Sequence, residues 1–135
     1  MLNVIFYQKP FFRTADFVAW GKAQEADRQT ADALSTYFRG WLSSRYTDRA
    51  AAVNLITCAL RNGNFALAER TCHEGITGAA EEKSIYHYYL ALIYASQNQF
   101  GKAEKHLLQI REQEIPSLRI KLQHLKQVVR RKSIS

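Results

Sequence analysis

Cysteine is scarce in this chain: Cys58 and Cys72 are the only two among 135 residues. Two cysteines cannot build a disulfide scaffold, and both sit in apolar helical patterns, so they read as buried free thiols. Proline (2) and glycine (6) are scarce as well. That excludes a collagen-like or low-complexity chain and argues against a turn-rich β protein. No run of apolar residues is long enough to predict a membrane-spanning helix. The N-terminal segment Met1–Tyr7 has no cationic region, and Lys9-Pro10 breaks its short apolar run. It does not read as a signal peptide, so a cytoplasmic protein is expected.

Carboxylates are absent from one end. Residues 117–135 hold six cations (Arg119, Lys121, Lys126, Arg130, Arg131, Lys132) and no Asp or Glu. The net charge is +7, from 19 Lys+Arg against 12 Asp+Glu, so the rest of the chain is nearly neutral. A basic protein invites a nucleic-acid partner. The confinement of the charge to one segment argues instead for the solvated face of a terminal helix, or for an acidic protein partner. What the chain does have is 47% hydrophobic residues, enough for a packed core in a single domain of this length.

That apolar content is periodic. Arg61-Asn62-Gly63-Asn64-Phe65-Ala66-Leu67-Ala68 matches Ser96-Gln97-Asn98-Gln99-Phe100-Gly101-Lys102-Ala103: a polar turn, an aromatic, two residues, then Ala. Thirty-five residues separate Ala68 from Ala103, and the same step back reaches Ala33. It also relates Trp20, Leu55 and Leu90; Gly21, Ile56 and Ala91; Tyr37, Cys72 and Leu107; and Gly40, Gly75 and Ile110. The first unit is the weakest, with Thr30 where Phe65 and Phe100 stand. Phe65 and Phe100 are expected to pack at the helix-pair junctions. Ala33, Ala68 and Ala103 are expected to let the helices approach, with Leu55 and Leu90 filling the repeat core.

The repeat resembles the tetratricopeptide family, whose period is about 34 residues. The fold class expected is all-α: an array of about three helical hairpins closed by a C-terminal capping helix. The pairs are 14–27 with 31–45, 48–61 with 65–76, and 82–97 with 100–113, and Thr14 is a candidate N-cap. The last helix, about 117–131, follows Pro116 and carries Leu118, Leu122, Leu125, Val128 and Val129 as one apolar stripe. A solenoid end needs such a cap. Thr77-Gly78-Ala79-Ala80 reads as a loop, and Leu2–Phe12 as an extended segment or a turn folded onto the body. The chain is thus read as one domain: an extension (1–13), three helix pairs (14–116) and a basic capping helix with tail (117–135).

Nothing in the pattern suggests an enzyme. His73, His87, His106 and His124 are never three or four residues apart, and no Cys-x-x-Cys occurs. Cys72 and His73 are adjacent and so do not face each other on a helix. Glu69, Glu74, Glu81 and Glu82 read as solvated helix charges. There is no glycine-rich phosphate loop or nucleophile elbow. No catalytic residue, metal or cofactor is expected.

The positive expectation is a binding groove on the first helix of each pair. Its positions are Ala15, Val18, Lys22 and Glu25, then Ala50, Val53, Thr57, Leu60 and Arg61, then Ile85, Tyr88, Leu92, Ala95 and Ser96. Val53, Thr57, Leu60, Arg61, Ile85, Tyr88, Leu92 and Ala95 are the candidate partner contacts. Only Arg61 and Lys22 are cationic, which suits an amphipathic helix better than a peptide carboxylate.

A second resemblance covers about 70% of the chain, from Ala31 to Lys126. Its features are Ala33-Leu34, Trp41-Leu42, Leu55-Ile56, Asn62–Ala68, Tyr89-Leu90-Ala91-Leu92, and Pro116 followed by an apolar-striped helix. In this order, and in so small a protein, they are similar to the tetratricopeptide chaperones of bacterial type III secretion, most of all those that hold the needle subunit. The resemblance implies a groove cradling the helix of a small secreted needle subunit, and a small helical co-chaperone against the N-terminal part. The chain departs from that pattern in its N-terminal thirty residues, which include Phe11, Phe12, Phe17 and Trp20. A translocator chaperone and a protein-interaction adaptor remain alternatives.

Overall fold

A computed structural model describes residues 13–78 and 81–134. The expected N-terminal extension, apart from Arg13, lies outside the described residues, as do Ala79, Ala80 and Ser135. The described chain is an all-α helical-repeat fold, with no strand among those residues. The helices are α1 (Thr14–Ala26), α2 (Thr30–Ser43), α3 (Arg49–Arg61), α4 (Phe65–Thr77), α5 (Ser84–Ser96), α6 (Phe100–Leu107) and α7 (Arg119–Ile134). Two 3₁₀ turns, Glu112–Glu114 and Pro116–Leu118, precede α7.

The 35-residue period governs the backbone. α1, α3 and α5 begin at Thr14, Arg49 and Ser84, and each is 13 residues long. α2, α4 and α6 begin at Thr30, Phe65 and Phe100. Three turns between helices close with the same hydrogen bond: Gln29 N–H to Gln24 O, Asn64 N–H to Ala59 O, and Gln99 N–H to Tyr94 O, all at 2.8 Å. Each turn also places one residue in the left-handed region: Arg28 (φ +62°), Gly63 (φ +72°) and Asn98 (φ +62°). A bond spanning five residues with a left-handed residue inside it is the Schellman ending of a helix. α7 starts at Arg119, one further step from Ser84. The expected cap is therefore in register with the first helix of a fourth repeat.

Two compact units divide the chain, one ending at Asn64 and the other beginning at Phe65. The division falls between the helices of the second expected pair.

In the first unit α1 packs on α2 and α3, and α2 packs on α3. Two glycines set the α1–α2 approach. A Cβ on Gly21 would collide with the Tyr37 ring, and a Cβ on Gly40 would lie 2.9 Å from Phe17 Cβ. Each helix thus receives the other's aromatic residue where it lacks a side chain. α2 buries Ala33, Thr36, Tyr37, Gly40 and Trp41, the one-face spacing of an amphipathic helix. Its end is tied by Ser44, whose hydroxyl donates to Trp41 O (2.8 Å) and accepts from Asp48 N–H (3.1 Å). Asp48 in turn caps α3 by accepting from Ala51 N–H at 2.9 Å. At α1 the cap is Arg13 rather than Thr14, and Asp16 accepts from Arg13 N–H at 2.9 Å. A carboxylate at that first-turn position serves both the orphan N–H and the helix dipole.

In the second unit α5 packs on α4 and α6, and α7 on α6 and α5. α5 is the most deeply buried helix, with Tyr86, Leu90, Ala91 and Ile93 almost fully enclosed. Lys83, just before it, donates to Ile76 O at 2.5 Å and so serves an orphan carbonyl at the end of α4. α6 stops at Leu107, well short of the expected 113. The chain leaves the helix because its polar groups find other partners: Arg111 N–H donates to Ser84 Oγ (2.9 Å), and the Ser84 hydroxyl donates to Glu114 (2.5 Å). This brings Ile115 into full burial ahead of Pro116. α7 then buries Leu122, Leu125 and Val129, while Leu118 and Val128 stay partly exposed.

Candidate functional site

The sequence places its groove on the first helix of each repeat; α3 lies in the first unit and α5 in the second. On α3, Val53, Thr57 and Leu60 are partly exposed and lie on one side of the helix. The Thr57 hydroxyl donates back to Val53 O at 2.9 Å, so the strip presents mainly hydrocarbon. Arg61 is exposed at its end, but its guanidinium is ion-paired to Glu25 of α1. Tyr37 of α2 donates its hydroxyl to the same carboxylate at 2.6 Å.

These three residues form one charge network. Burial tends to raise the Glu25 carboxyl, but the Tyr37 and Arg61 hydrogen bonds outweigh it and hold the group below its ordinary value. The Tyr37 phenol is pushed up by burial and by Glu25. The Cys58 thiol, also beside Glu25, is pushed up to about 11, chiefly by burial. Cys72 is raised by burial too.

On α5 the expected positions separate into two kinds. Leu92 and Ala95 are partly exposed, whereas Ile85 and Tyr88 are buried at 5% and 4% exposure. Ile85 and Tyr88 are thus corrected from surface contacts to interior residues. The helix is so apolar that its N-terminal half has buried neighbours on nearly every side, including the Tyr89 ring, edge-on to Tyr88 at 5.1 Å. The same register position on α7 is Ile120, which is 85% exposed.

The repeat-core residues separate as well. Ala33, Ala68, Ala103, Leu55 and Leu90 are fully buried. Phe65 is not: it is 37% exposed, and Phe100 is only partly buried. Both stand at the first position of a helix, at the rim of the turn, where a side chain is not surrounded by a preceding helical turn. Trp20 departs from its register partners Leu55 and Leu90, being 43% exposed.

The structure also brings together residues that spacing in the sequence kept apart. His87 of α5 and His106 of α6 meet at 3.0 Å, Nδ1 to Nδ1. Tyr94 of α5 donates its hydroxyl to Glu69 of α4 at 2.7 Å, and His73, one turn along from Glu69, lies 3.8 Å from the same carboxylate. The usable signal was the repeat register, because helices adjacent in a hairpin array meet at fixed offsets within the period. Among the described residues no group of three or more His, Cys, Asp or Glu could hold a metal ion. No helix among them is long and apolar enough to cross a membrane.

Fold and face together define an all-α helical-repeat protein in which α3 of the first unit carries a partly exposed apolar strip. No protein-family model, curated protein or solved structure matches the chain.

Proposed function

We propose that this protein is a non-enzymatic binding protein that holds an amphipathic helix of a small partner. In its most specific form it is a cytoplasmic chaperone of a bacterial type III secretion system, keeping the needle subunit from polymerising before export. The observation that carries the binding role is the strip Val53–Thr57–Leu60 on α3, partly exposed and without a free charge of its own. In the second unit, Leu92 and Ala95 of α5 stand one 35-residue step from Thr57 and Leu60 and are also partly exposed. A contiguous exposed apolar patch rimmed by polar residues marks a docking site, whereas scattered apolar side chains do not. Burying a partner helix there is favourable at about 25 cal/mol per Å², offset by the ordering of the partner. A small helical co-chaperone belongs to this reading through the family resemblance alone.

The test is affinity purification from the protein's own cells at moderate salt, with mass spectrometry of what co-elutes. A small, wholly helical protein in stoichiometric amount supports the chaperone reading. A second reading, an adaptor for an acidic protein, is favoured by α7, whose exposed side carries Arg119, Lys121, Arg130, Arg131 and Lys132. A partner lost steeply as salt rises would support that reading instead. Recovery of nucleic acid with the same salt dependence would assign the cations to phosphate binding.

A further inference from the structure

Three helices of the second unit are joined by one string of polar side chains. Glu69 of α4 accepts the Tyr94 hydroxyl of α5 at 2.7 Å. The Tyr94 ring stacks on His106 of α6, with centroids 5.5 Å apart and planes 21° apart. His106 meets His87 of α5 at 3.0 Å, Nδ1 to Nδ1.

That last contact has a definite proton requirement. Two imidazoles can share a hydrogen bond between their Nδ1 atoms only if one carries the proton and the other is bare. One added proton can still be accommodated, because it goes to an outer Nε2. A second added proton leaves two N–H groups pointing at each other across 3.0 Å. We propose that the His87–His106 contact is a pH-sensitive clasp that holds α5 to α6 at neutral pH and weakens the second unit under mild acid.

The surroundings favour the neutral pair. Both rings are partly buried, and burial lowers the affinity of each for a proton. His106 and His73 further disfavour a charge on His87, as does Lys83 just before α5. His73 acts the same way on His106, while Glu69 works against it without prevailing. The Lys102 ammonium lies 5.5 Å from the Tyr94 ring, on the helix that bears His106. α7, which also packs on α5 and α6, brings no charge that acts on either ring.

The direction of the pH effect follows. Both histidines bind a proton less readily in the folded chain than in the unfolded one. Their contribution is therefore whole above the ordinary histidine value of about 6.5 and is lost as pH falls through the folded values. Proton uptake by the unfolded chain then pulls the equilibrium toward unfolding.

The full chain should be melted by circular dichroism at pH 7.5, 6.5, 5.5 and 5.0. The expected result is a midpoint about 5 °C lower at pH 5.0 than at pH 7.5. His106→Gln should remove most of that drop, and His124→Gln, at an exposed ring, should leave it intact. A pH-independent midpoint, or an unchanged drop in His106→Gln, overturns the clasp. Nitrogen-15 NMR of the wild-type imidazoles tests it without any variant. At pH 7 one of the two rings should be the Nδ1–H tautomer and the other the Nε2–H tautomer. Two Nε2–H tautomers, or two rings titrating at the ordinary value, overturn it.

Discussion

Gly75 of α4 lies under the ring of Tyr86 of α5, so close that a Cβ at Gly75 would stand 2.5 Å from Tyr86 Cζ. Tyr86 is almost fully buried, so its ring cannot swing into solvent to make room. Helix propensity alone would favour alanine over glycine by about 1 kcal/mol. Packing should reverse that sign. Gly75→Ala is expected to cost about 1–3 kcal/mol, as overfilled cores do. Gly101→Ala, on a helix with nothing within 4 Å of the added carbon, should gain about 0.5–1 kcal/mol. Urea unfolding of both variants separates close packing from propensity.

The three turns predict a second contrast. Arg28, Gly63 and Asn98 hold equivalent left-handed positions, and only Gly63 does so without a side-chain penalty. Gly63→Ala should therefore destabilise by about 1 kcal/mol, since nothing crowds the site and backbone strain is the whole effect. Arg28→Gly should stabilise by up to about 1 kcal/mol on the same grounds. Thermal melts of the two variants should move in opposite directions.

Groove and core positions should separate in one set of variants. Leu60→Asp and Leu92→Asp place a charge on partly exposed positions and should keep helical circular dichroism while losing the partner. Ile85→Asp and Ala68→Trp should unfold their unit. Ile85 is 5% exposed and Ala68 fully buried, so the first strands a charge and the second overfills a helix contact. Unfolding of Leu60→Asp and Leu92→Asp would make those positions core and move the binding face elsewhere.

Glu25 supplies an acid limb. Its carboxyl is held below the ordinary 4.5, by the hydrogen bonds from Tyr37 and Arg61 acting against burial. A lowered carboxylate stabilises the fold above its unfolded value, and that contribution disappears as pH falls through the folded value. Glu25→Gln should therefore lower stability at pH 7 and flatten the loss that wild type shows below about pH 4.5. Chemical denaturation at pH 7 and pH 3 measures both arms.

Much of the fold was legible because its period is written twice over. Ala33, Ala68 and Ala103 mark it in side chains, and the polar turns before Phe65 and Phe100 mark it in backbone preference. The first repeat, where Thr30 replaces the aromatic, still forms the same turn at Gln24–Gln29. The hydrogen bond needs only a left-handed residue, and Arg28 takes that conformation without glycine's help. The end of α6 was not legible, because it depends on Ser84, 27 residues from Arg111, accepting that residue's N–H. Ile85 and Tyr88 were misplaced for a related reason. Periodicity assigns a face to a helix, but α5 is apolar nearly all round, and which side stays open depends on what packs there.

The sequence by itself determined the helical class, the 35-residue step, the turns between helices and the buried alanines. All of these follow from local preference and from the spacing of apolar side chains along one helix. Only the tertiary structure decided which aromatics are enclosed, that Arg61 is already paired with Glu25, and that His87 and His106 touch. Those facts depend on distances between different helices. Such distances are set by small features such as Gly21 beneath Tyr37 and Gly75 beneath Tyr86, whose effect exists only once two helices have met.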